Sequence, residues 1–202
     1  MSKGETGMAM NQVSVKVAEE QIIRFGQLLY KKGLVSGMDG NLSMRLHDNT
    51  VVITASGVHK GFLDSNQILV VTEKGDTVLG NKKPSSETPM HLAIYAAIKK
   101  ANAIIHAHAP WSTAVSLQQE GLDLNVLAEG RLFFSSVEIV PFFLPGTDEL
   151  ANAAAQAAKK SKIFILKGHG VVAWGSNFME AFCLIEQLEN NIKIIGYSKL
   201  FS

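Results

Sequence analysis

The chain has three strand-like segments in succession between Thr50 and Leu79, with no helix between them. Two are runs of β-branched and aliphatic residues, Val51–Thr54 and Ile68–Val71. The turn Lys74-Gly75-Asp76 leads into the third, near Thr77–Leu79. Because neighbouring parallel strands need long, usually helical, crossover connections, this succession predicts a mixed or largely antiparallel sheet.

Helical patterns occur on both sides of these strands. Apolar residues recur at helical spacing from Val15 to about Lys32. Further helices are predicted at 86–100, 112–119, 149–160 and 178–195, and further strands after Gly40 and at 103–108, 139–144 and 163–167. The mixture predicts an α/β domain in which helices cover a sheet.

Composition limits the class of protein. Of the 202 residues 47% are hydrophobic and 18% are charged, so we expect residues 13–202 to form one domain and residues 1–12 to be disordered. The net charge of +1 argues against nucleic-acid and membrane-surface binding. No signal peptide or membrane span is recognisable, and Cys183 lies in an apolar run typical of a core. We therefore expect a cytoplasmic protein.

His106-Ala107-His108 is the most informative tripeptide. Residues two apart in a strand project from the same face, so both imidazoles can bind one metal ion. His169 is a third candidate, since Gly168 and Gly170 beside it allow a close backbone approach. Three histidines that leave one position open are typical of a catalytic zinc. The alternative is two hydrogen-bonded core histidines and an unrelated turn histidine.

Glu87 is placed by the pattern in the first turn of the predicted helix at 86–100. The dipole of that helix is sufficient to explain a glutamate there. Near a metal ion, however, a carboxylate can move a proton on a carbon beside a coordinated carbonyl or hydroxyl group.

Three short polar segments have the chemistry of a phosphate site: Gly40-Asn41, Thr54-Ala55-Ser56-Gly57 and Ser85-Ser86. Each combines small residues with hydroxyl or amide groups at a strand end or helix start, where backbone N–H groups can point at an anion. Each alone is also typical of an ordinary turn or cap, and none matches a P-loop or a dinucleotide fingerprint.

Five motifs therefore follow one order along nearly the whole chain: Gly40-Asn41-Leu42-Ser43, Thr54-Ala55-Ser56-Gly57, Lys83-Pro84-Ser85-Ser86-Glu87, His106-Ala107-His108 and Gly168-His169-Gly170. Together they resemble the class II aldolase and L-ribulose-5-phosphate 4-epimerase family, and most of all its short L-fuculose-1-phosphate aldolases. The resemblance implies a three-layer α/β/α fold with a mixed, mostly antiparallel sheet. It also implies a homotetramer with sites at subunit interfaces.

The resemblance further implies roles for the matched residues. A Zn²⁺ ion, with Mn²⁺ or Co²⁺ as alternatives, would be held by His106, His108 and His169. Glu87 would be the catalytic acid/base. The substrate phosphate would be bound by the remaining matched positions, which are Gly40, Asn41, Ser56, Gly57, Ser85 and Ser86.

The implied reaction is reversible cleavage of a ketose 1-phosphate, of the L-fuculose 1-phosphate type, to dihydroxyacetone phosphate and a small aldehyde through a metal-stabilised enediolate. A pentulose-phosphate 4-epimerase, a sugar-phosphate dehydratase and a decarboxylase remain as alternatives on the same fold. A metal-free module like the adducin head is disfavoured, because all three histidines and Glu87 are present. The chain departs from the bacterial fuculose enzyme at 122–130, where that enzyme has a proton-donating tyrosine. Glu129 is the nearest ionisable side chain, and the second acid is unassigned.

Overall fold

The structure, a computed structural model, describes residues 3–118, 123–134 and 137–201, with backbone only for residues 3–13. Eight described strands form one sheet, in the order β4-β3-β2-β1-β5-β8-β7-β6. Their bounds are Asn41–Arg45 (β1), Val51–Thr54 (β2), Ile68–Val71 (β3), Thr77–Leu79 (β4), Ala103–Ala107 (β5), Glu138–Val140 (β6), Ile163–Leu166 (β7) and Gly170–Gly175 (β8). Among these strands only β6 and β7 pair in parallel. The prediction of a mixed, mostly antiparallel sheet is confirmed.

Helices cover both faces of the sheet and give a three-layer α/β/α fold, as the resemblance implied. Their bounds are Lys3–Lys31 (α1), Thr88–Ala97 (α2), Pro110–Val115 (α3), Ala128–Phe133 (α4), Asp148–Lys160 (α5) and Phe178–Ser198 (α6). α1 and α6 pack together against the central strands, whereas α2 and α5 pack against each other. The register aligns Ser43, Ile104 and Trp174 on the α2–α5 face, because partners directly opposite in a sheet share a face. Within the described residues no helix is long and apolar enough to cross a membrane.

Several element bounds differ from the predicted ones. α1 begins at Lys3 rather than Val15, and β6 ends at Val140 because Pro141 has no N–H to donate to a neighbouring strand. β8 and α4 were not predicted. The helix predicted at 112–119 ends at Val115, and Gln119 lies outside the described residues. The expected disorder of residues 1–12 is not tested by the bounds of α1 and stays a prediction.

The start of α2 is the difference that bears on the site. The helix begins at Thr88 rather than at residue 86, and Glu87 is its N-cap residue, with φ −93° and ψ 12°. The Glu87 side chain makes no capping hydrogen bond. Its carboxylate is therefore free to point away from the helix that follows it.

A buried carboxylate on α6 anchors the chain after the His-x-His motif. Glu189 is 8% exposed and accepts hydrogen bonds from the backbone N–H groups of Trp111 and Ser112, both at 2.8 Å. It also accepts one from the Ser112 hydroxyl at 2.7 Å. These bonds satisfy donors that the first turn of α3 leaves without a partner inside the helix, and so they hold the direction in which the chain leaves His108.

We expect Glu189→Ala to lower the free energy of unfolding by about 2–4 kcal/mol, because two or three buried donors lose their acceptor. Urea denaturation followed by circular dichroism measures this. Glu186→Ala is the matched control on the same helix, since Glu186 pairs with Lys32 at the surface (2.7 Å) and such pairs contribute little. Equal effects of the two substitutions would contradict the anchoring role.

Candidate active site

Glu87 and three histidines converge at one end of the central strands. Their potential ligand atoms all lie within 4.8 Å of one another. His106 is on β5 and His108 follows its end, while His169 lies in the turn between β7 and β8. His106 Nε2 is 3.0 Å from His108 Nε2 and 3.4 Å from His169 Nε2. Glu87 Oε2 is 3.2 Å from His106 Nε2.

Two glycines allow the segments on either side of His106 to come this close. A Cβ atom at Gly170 would lie 2.4 Å from the carbonyl oxygen of Ala107. A Cβ atom at Gly40, whose φ is +72°, would lie 2.5 Å from the carbonyl oxygen of His106. Neither contact is tolerable for another residue, so both positions require glycine.

The donor set fits a divalent cation. His106 Nδ1–H donates to the carbonyl of Val171 at 3.1 Å, which fixes the tautomer and leaves the Nε2 lone pair free. Tetrahedral zinc with Zn–N bonds of about 2.0–2.1 Å would separate two ligand nitrogens by roughly 3.3–3.4 Å, close to the observed spacings. In addition, Glu87 Oε1 is buried without a hydrogen-bond partner among the described residues and lies 3.7 Å from His169 Nε2.

The electrostatics of the cluster favour an ionised carboxylate among mostly neutral imidazoles. Burial raises the pKa of the Glu87 carboxyl, but His106, His169 and the Asn41 amide together lower it well below its ordinary value. Burial and the neighbouring histidines lower the pKa of His108 to about 3 and that of His169 to about 4. The pKa of His106 is raised, because the Glu87 carboxylate outweighs the effect of burial. His106 and Glu87 thus favour each other's charged form.

A chain of buried hydrogen bonds that runs through Asn41 and His91 orients the Glu87 carboxylate. Asn41 Nδ2 donates to Glu87 Oε2 at 2.9 Å, so Asn41 Oδ1 must accept from His91 Nε2–H at 2.6 Å. His91 Nδ1 then accepts from the Ser43 hydroxyl at 2.6 Å, and the Tyr95 hydroxyl lies 2.9 Å beyond. Burial lowers the pKa of His91 to about 3, so this ring is neutral and its tautomer follows from its partners.

All six predicted phosphate positions line the cavity that opens above this cluster. The cavity has a volume of about 300 Å³, and Glu87, His108 and His169 contribute to its wall. Its predicted phosphate positions are Gly40, Asn41, Ser56, Gly57, Ser85 and Ser86. Their roles, like those of the four cluster residues, remain predictions, but the geometry brings both groups to one place.

The cavity also has ionisable residues that the sequence did not single out, Asp39 and Lys60. Asp39 Oδ1 is 3.7 Å from His108 Nδ1. Glu129 is exposed on α4 and is not among the lining residues. Nothing in the local sequence distinguishes Lys60 from a surface lysine, since one of the carbonyls that accept from it belongs to Met38, 22 residues away.

Comparison with known proteins agrees with this geometry. A profile of the family described as Class II Aldolase and Adducin N-terminal domain matches residues 20–195. The chain is 33% identical to the 3-oxo-tetronate 4-phosphate decarboxylase of Haemophilus influenzae over 181 residues, which are 87% of this chain and 85% of that protein. It is 36% identical to the L-fuculose phosphate aldolase of Methanococcus vannielii over 175 residues, 87% of this chain and 93% of that protein. A solved L-fuculose 1-phosphate aldolase, 31% identical, superposes with a TM-score of 0.83 over 92% of this chain and 87% of its own.

We expect His91→Leu to lower the free energy of unfolding by about 2–4 kcal/mol, because Asn41 Oδ1 loses its buried donor and the Ser43 hydroxyl loses one of its two buried partners. Urea denaturation checks this, with His47→Leu, at an exposed position, as the control. If both variants were equally stable, the hydrogen-bond chain behind Glu87 would contribute nothing to the fold.

Proposed function

We propose that this chain, which belongs to the class II aldolase and adducin N-terminal domain family, is a metal-dependent enzyme that cleaves and forms a carbon–carbon bond of a sugar phosphate. The observation that carries the proposal is the group of Glu87, His106, His108 and His169 at the floor of a cavity whose wall is rich in hydroxyl and amide groups. An adducin-like binding module would have no need for these four residues in this geometry.

The first candidate reaction is reversible aldol cleavage of a ketose 1-phosphate, of the L-fuculose 1-phosphate type, to dihydroxyacetone phosphate and a small aldehyde. The divalent cation would supply Lewis-acid stabilisation of negative charge on the substrate oxygens. In cleavage, the carbon–carbon bonding pair moves toward the ketone and the distal hydroxyl gives up its proton to a base. The carbon then receives a proton that Glu87 relays from water, and in synthesis Glu87 removes that proton.

The hydrogen bonds at Glu87 suit this role. Asn41 occupies Oε2, whereas Oε1 has no hydrogen-bond partner among the described residues and is the oxygen available to a substrate proton. Ser56, Ser85 and Ser86 line the cavity wall, and a serine hydroxyl can donate to a phosphate oxygen.

Decarboxylation of a phosphorylated 3-oxo acid is the second candidate. The similarity to the 3-oxo-tetronate 4-phosphate decarboxylase supports it, and so does the content of the cavity. Loss of carbon dioxide leaves a bonding pair on the substrate carbon, which then takes up one proton. The Glu87 carboxylate can relay that proton from water, and the reaction needs no base for a hydroxyl group. No tyrosine is among the described residues that line the cavity.

We also propose zinc as the ion, a cytoplasmic location and a homotetramer with sites at subunit interfaces. Exposed apolar side chains beside the cavity support the assembly. Phe142 and Leu144 are 60% and 66% exposed, next to Pro145 in the cavity wall, and large exposed apolar groups mark surfaces that another chain covers. Light scattering on the purified protein measures the mass of the assembly, and a monomer would contradict this arrangement.

A substrate panel tests the reaction. Zinc-loaded protein is incubated with L-fuculose 1-phosphate, 3-oxo-tetronate 4-phosphate and L-ribulose 5-phosphate, while dihydroxyacetone phosphate, carbon dioxide and the 4-epimer are measured. Release of dihydroxyacetone phosphate from L-fuculose 1-phosphate supports the first candidate. Release of carbon dioxide from 3-oxo-tetronate 4-phosphate supports the second, and dihydroxyacetone phosphate is then the co-product. Epimerisation alone, or no turnover of any phosphorylated sugar, would overturn the proposed net cleavage to separate products.

We expect purified protein to hold about one divalent ion per chain and His106→Ala to lose most of it. His106 Nε2 lies close to the Nε2 atoms of both other histidines, and no neighbouring side chain can take its place as a ligand. Plasma mass spectrometry of dialysed protein measures the metal content, with His47→Ala as the control. Full metal content in His106→Ala would show that the cluster is not the binding site.

Glu87→Gln should retain the metal and lower proton exchange on dihydroxyacetone phosphate by about 100-fold or more, because the amide has no basic oxygen. Deuterium incorporation from heavy water, followed by NMR, measures the exchange. Glu129→Gln, at the exposed position on α4, serves as the control and should exchange normally. Unchanged exchange in Glu87→Gln would mean that another group is the base.

A further inference from the structure

Lys60 is a buried cation in the wall of the cavity. It begins a short 3-10 turn, Lys60–Phe62, after β2, and its side chain is 1% exposed. The ammonium donates to the carbonyl of Met38 at 2.7 Å and to that of Val58 at 2.6 Å. Lysine is among the residues least often fully buried, and when it is buried it normally has a partner of opposite charge.

No such partner is present among the described residues. None of their ion pairs includes Lys60. The Asp39 carboxylate acts on it only at longer range, and burial lowers the pKa of Lys60 to about 8. The ammonium is therefore still mostly protonated at neutral pH, and its positive charge lacks a carboxylate counter-ion in contact with it.

The position of this charge relates it to the predicted phosphate segments. Met38 is two residues before Gly40-Asn41, and Val58 directly follows Ser56-Gly57, so the ammonium lies between the two loops that carry these segments. Lys60 lines the same cavity as both loops, and the described lining includes no other lysine or arginine. An ammonium has three N–H donors, of which the two carbonyls use two.

We propose that Lys60 binds the phosphate group of the substrate, with its third N–H and its charge directed to the phosphate between the Gly40-Asn41 and Ser56-Gly57 loops. This assignment rests on the proposed function, in that it takes the substrate to be a sugar phosphate. It applies equally to the aldol and the decarboxylation candidates, because both substrates carry a phosphate. The hydroxyl and backbone donors of the cavity are neutral, and Lys60 supplies the charge that they lack.

The competing explanation is that Lys60 only fastens two loops together. A neutral donor would serve that purpose without placing an uncompensated charge in the interior, which is costly unless an anion arrives to pair with it. The two explanations differ in what a neutral replacement does to phosphorylated and to unphosphorylated ligands.

The test uses the full, zinc-loaded chain with Lys60→Met and Lys60→Gln, and Lys100→Met as an exposed control with the same loss of charge. Lys60→Gln keeps a donor for the two carbonyls and so remains informative if Lys60→Met folds poorly. The first measurement is the rise in melting temperature on adding inorganic phosphate, against chloride at equal ionic strength. We expect the rise in wild type and Lys100→Met, and its loss in both Lys60 variants.

The second measurement compares deuterium exchange on dihydroxyacetone phosphate and on dihydroxyacetone. Loss of a charge-assisted contact should lower kcat/KM for the phosphorylated compound by about 10- to 100-fold, mainly through KM. The value for dihydroxyacetone should stay within about threefold, since its binding does not use the phosphate contact. Equal losses of kcat/KM for both compounds would overturn the proposal, and so would an undiminished rise in the melting temperature of Lys60→Gln on adding phosphate. Either result would mean that Lys60 only holds the two loops together.

The outcomes separate this inference from the proposed function. If wild type turned over no sugar phosphate but inorganic phosphate still stabilised it through Lys60, only the proposed reaction would fail. If wild type cleaved a sugar phosphate and the Lys60 variants matched it for phosphorylated substrates, only the role of Lys60 would fail.

Discussion

The antiparallel pairing of β1 with β5 at the centre of the sheet sets Asn41 directly opposite His106. Partners in such a pair share a face, so the residue that holds Glu87 and the residue at the middle of the histidine cluster point to the same side. The same register brings Gly40 against the carbonyl of His106 and turns Ser43 toward His91. A shift of one residue would turn Asn41 to the opposite face of the sheet and dismantle the site.

Parts of this arrangement are readable from local sequence. The period of two residues in a strand predicted that His106 and His108 lie together, and the glycines beside His169 predicted a close approach to another strand. The structure shows both. Glu87 was predicted in the first turn of a helix that begins at residue 86, whereas it is the N-cap of a helix that begins at Thr88, because Ser86 and Pro89 resemble helix-start residues. β8 was missed, since the glycines at both of its ends and the Gly168-His169-Gly170 motif indicate turns more strongly than Val171 and Val172 indicate a strand.

The hydrogen bonds of His91 and Lys60 around the site could not be predicted from local sequence, because they join residues that are distant in the chain. His91 meets Asn41, 50 residues away, and Ser43, 48 residues away. Lys60 contacts Met38 across 22 residues. A buried histidine or lysine cannot be told from an exposed one in the sequence until the strand register is known. In a His-x-His motif, by contrast, the spacing alone places both side chains on one face of a strand.

The distribution of charge in the cavity is compatible with both candidate reactions proposed above. Asp39 and Glu87 contribute carboxylates, Lys60 contributes an ammonium, and the lowered pKa values of His108 and His169 keep both imidazoles neutral. A divalent cation at the histidines and the Lys60 ammonium would then be two separate positive centres. One suits the oxygens around the bond that breaks, and the other suits the phosphate. These are the parts that a ketose 1-phosphate and a phosphorylated 3-oxo acid have in common, so choice between them must lie in the wall that meets the remainder of the substrate.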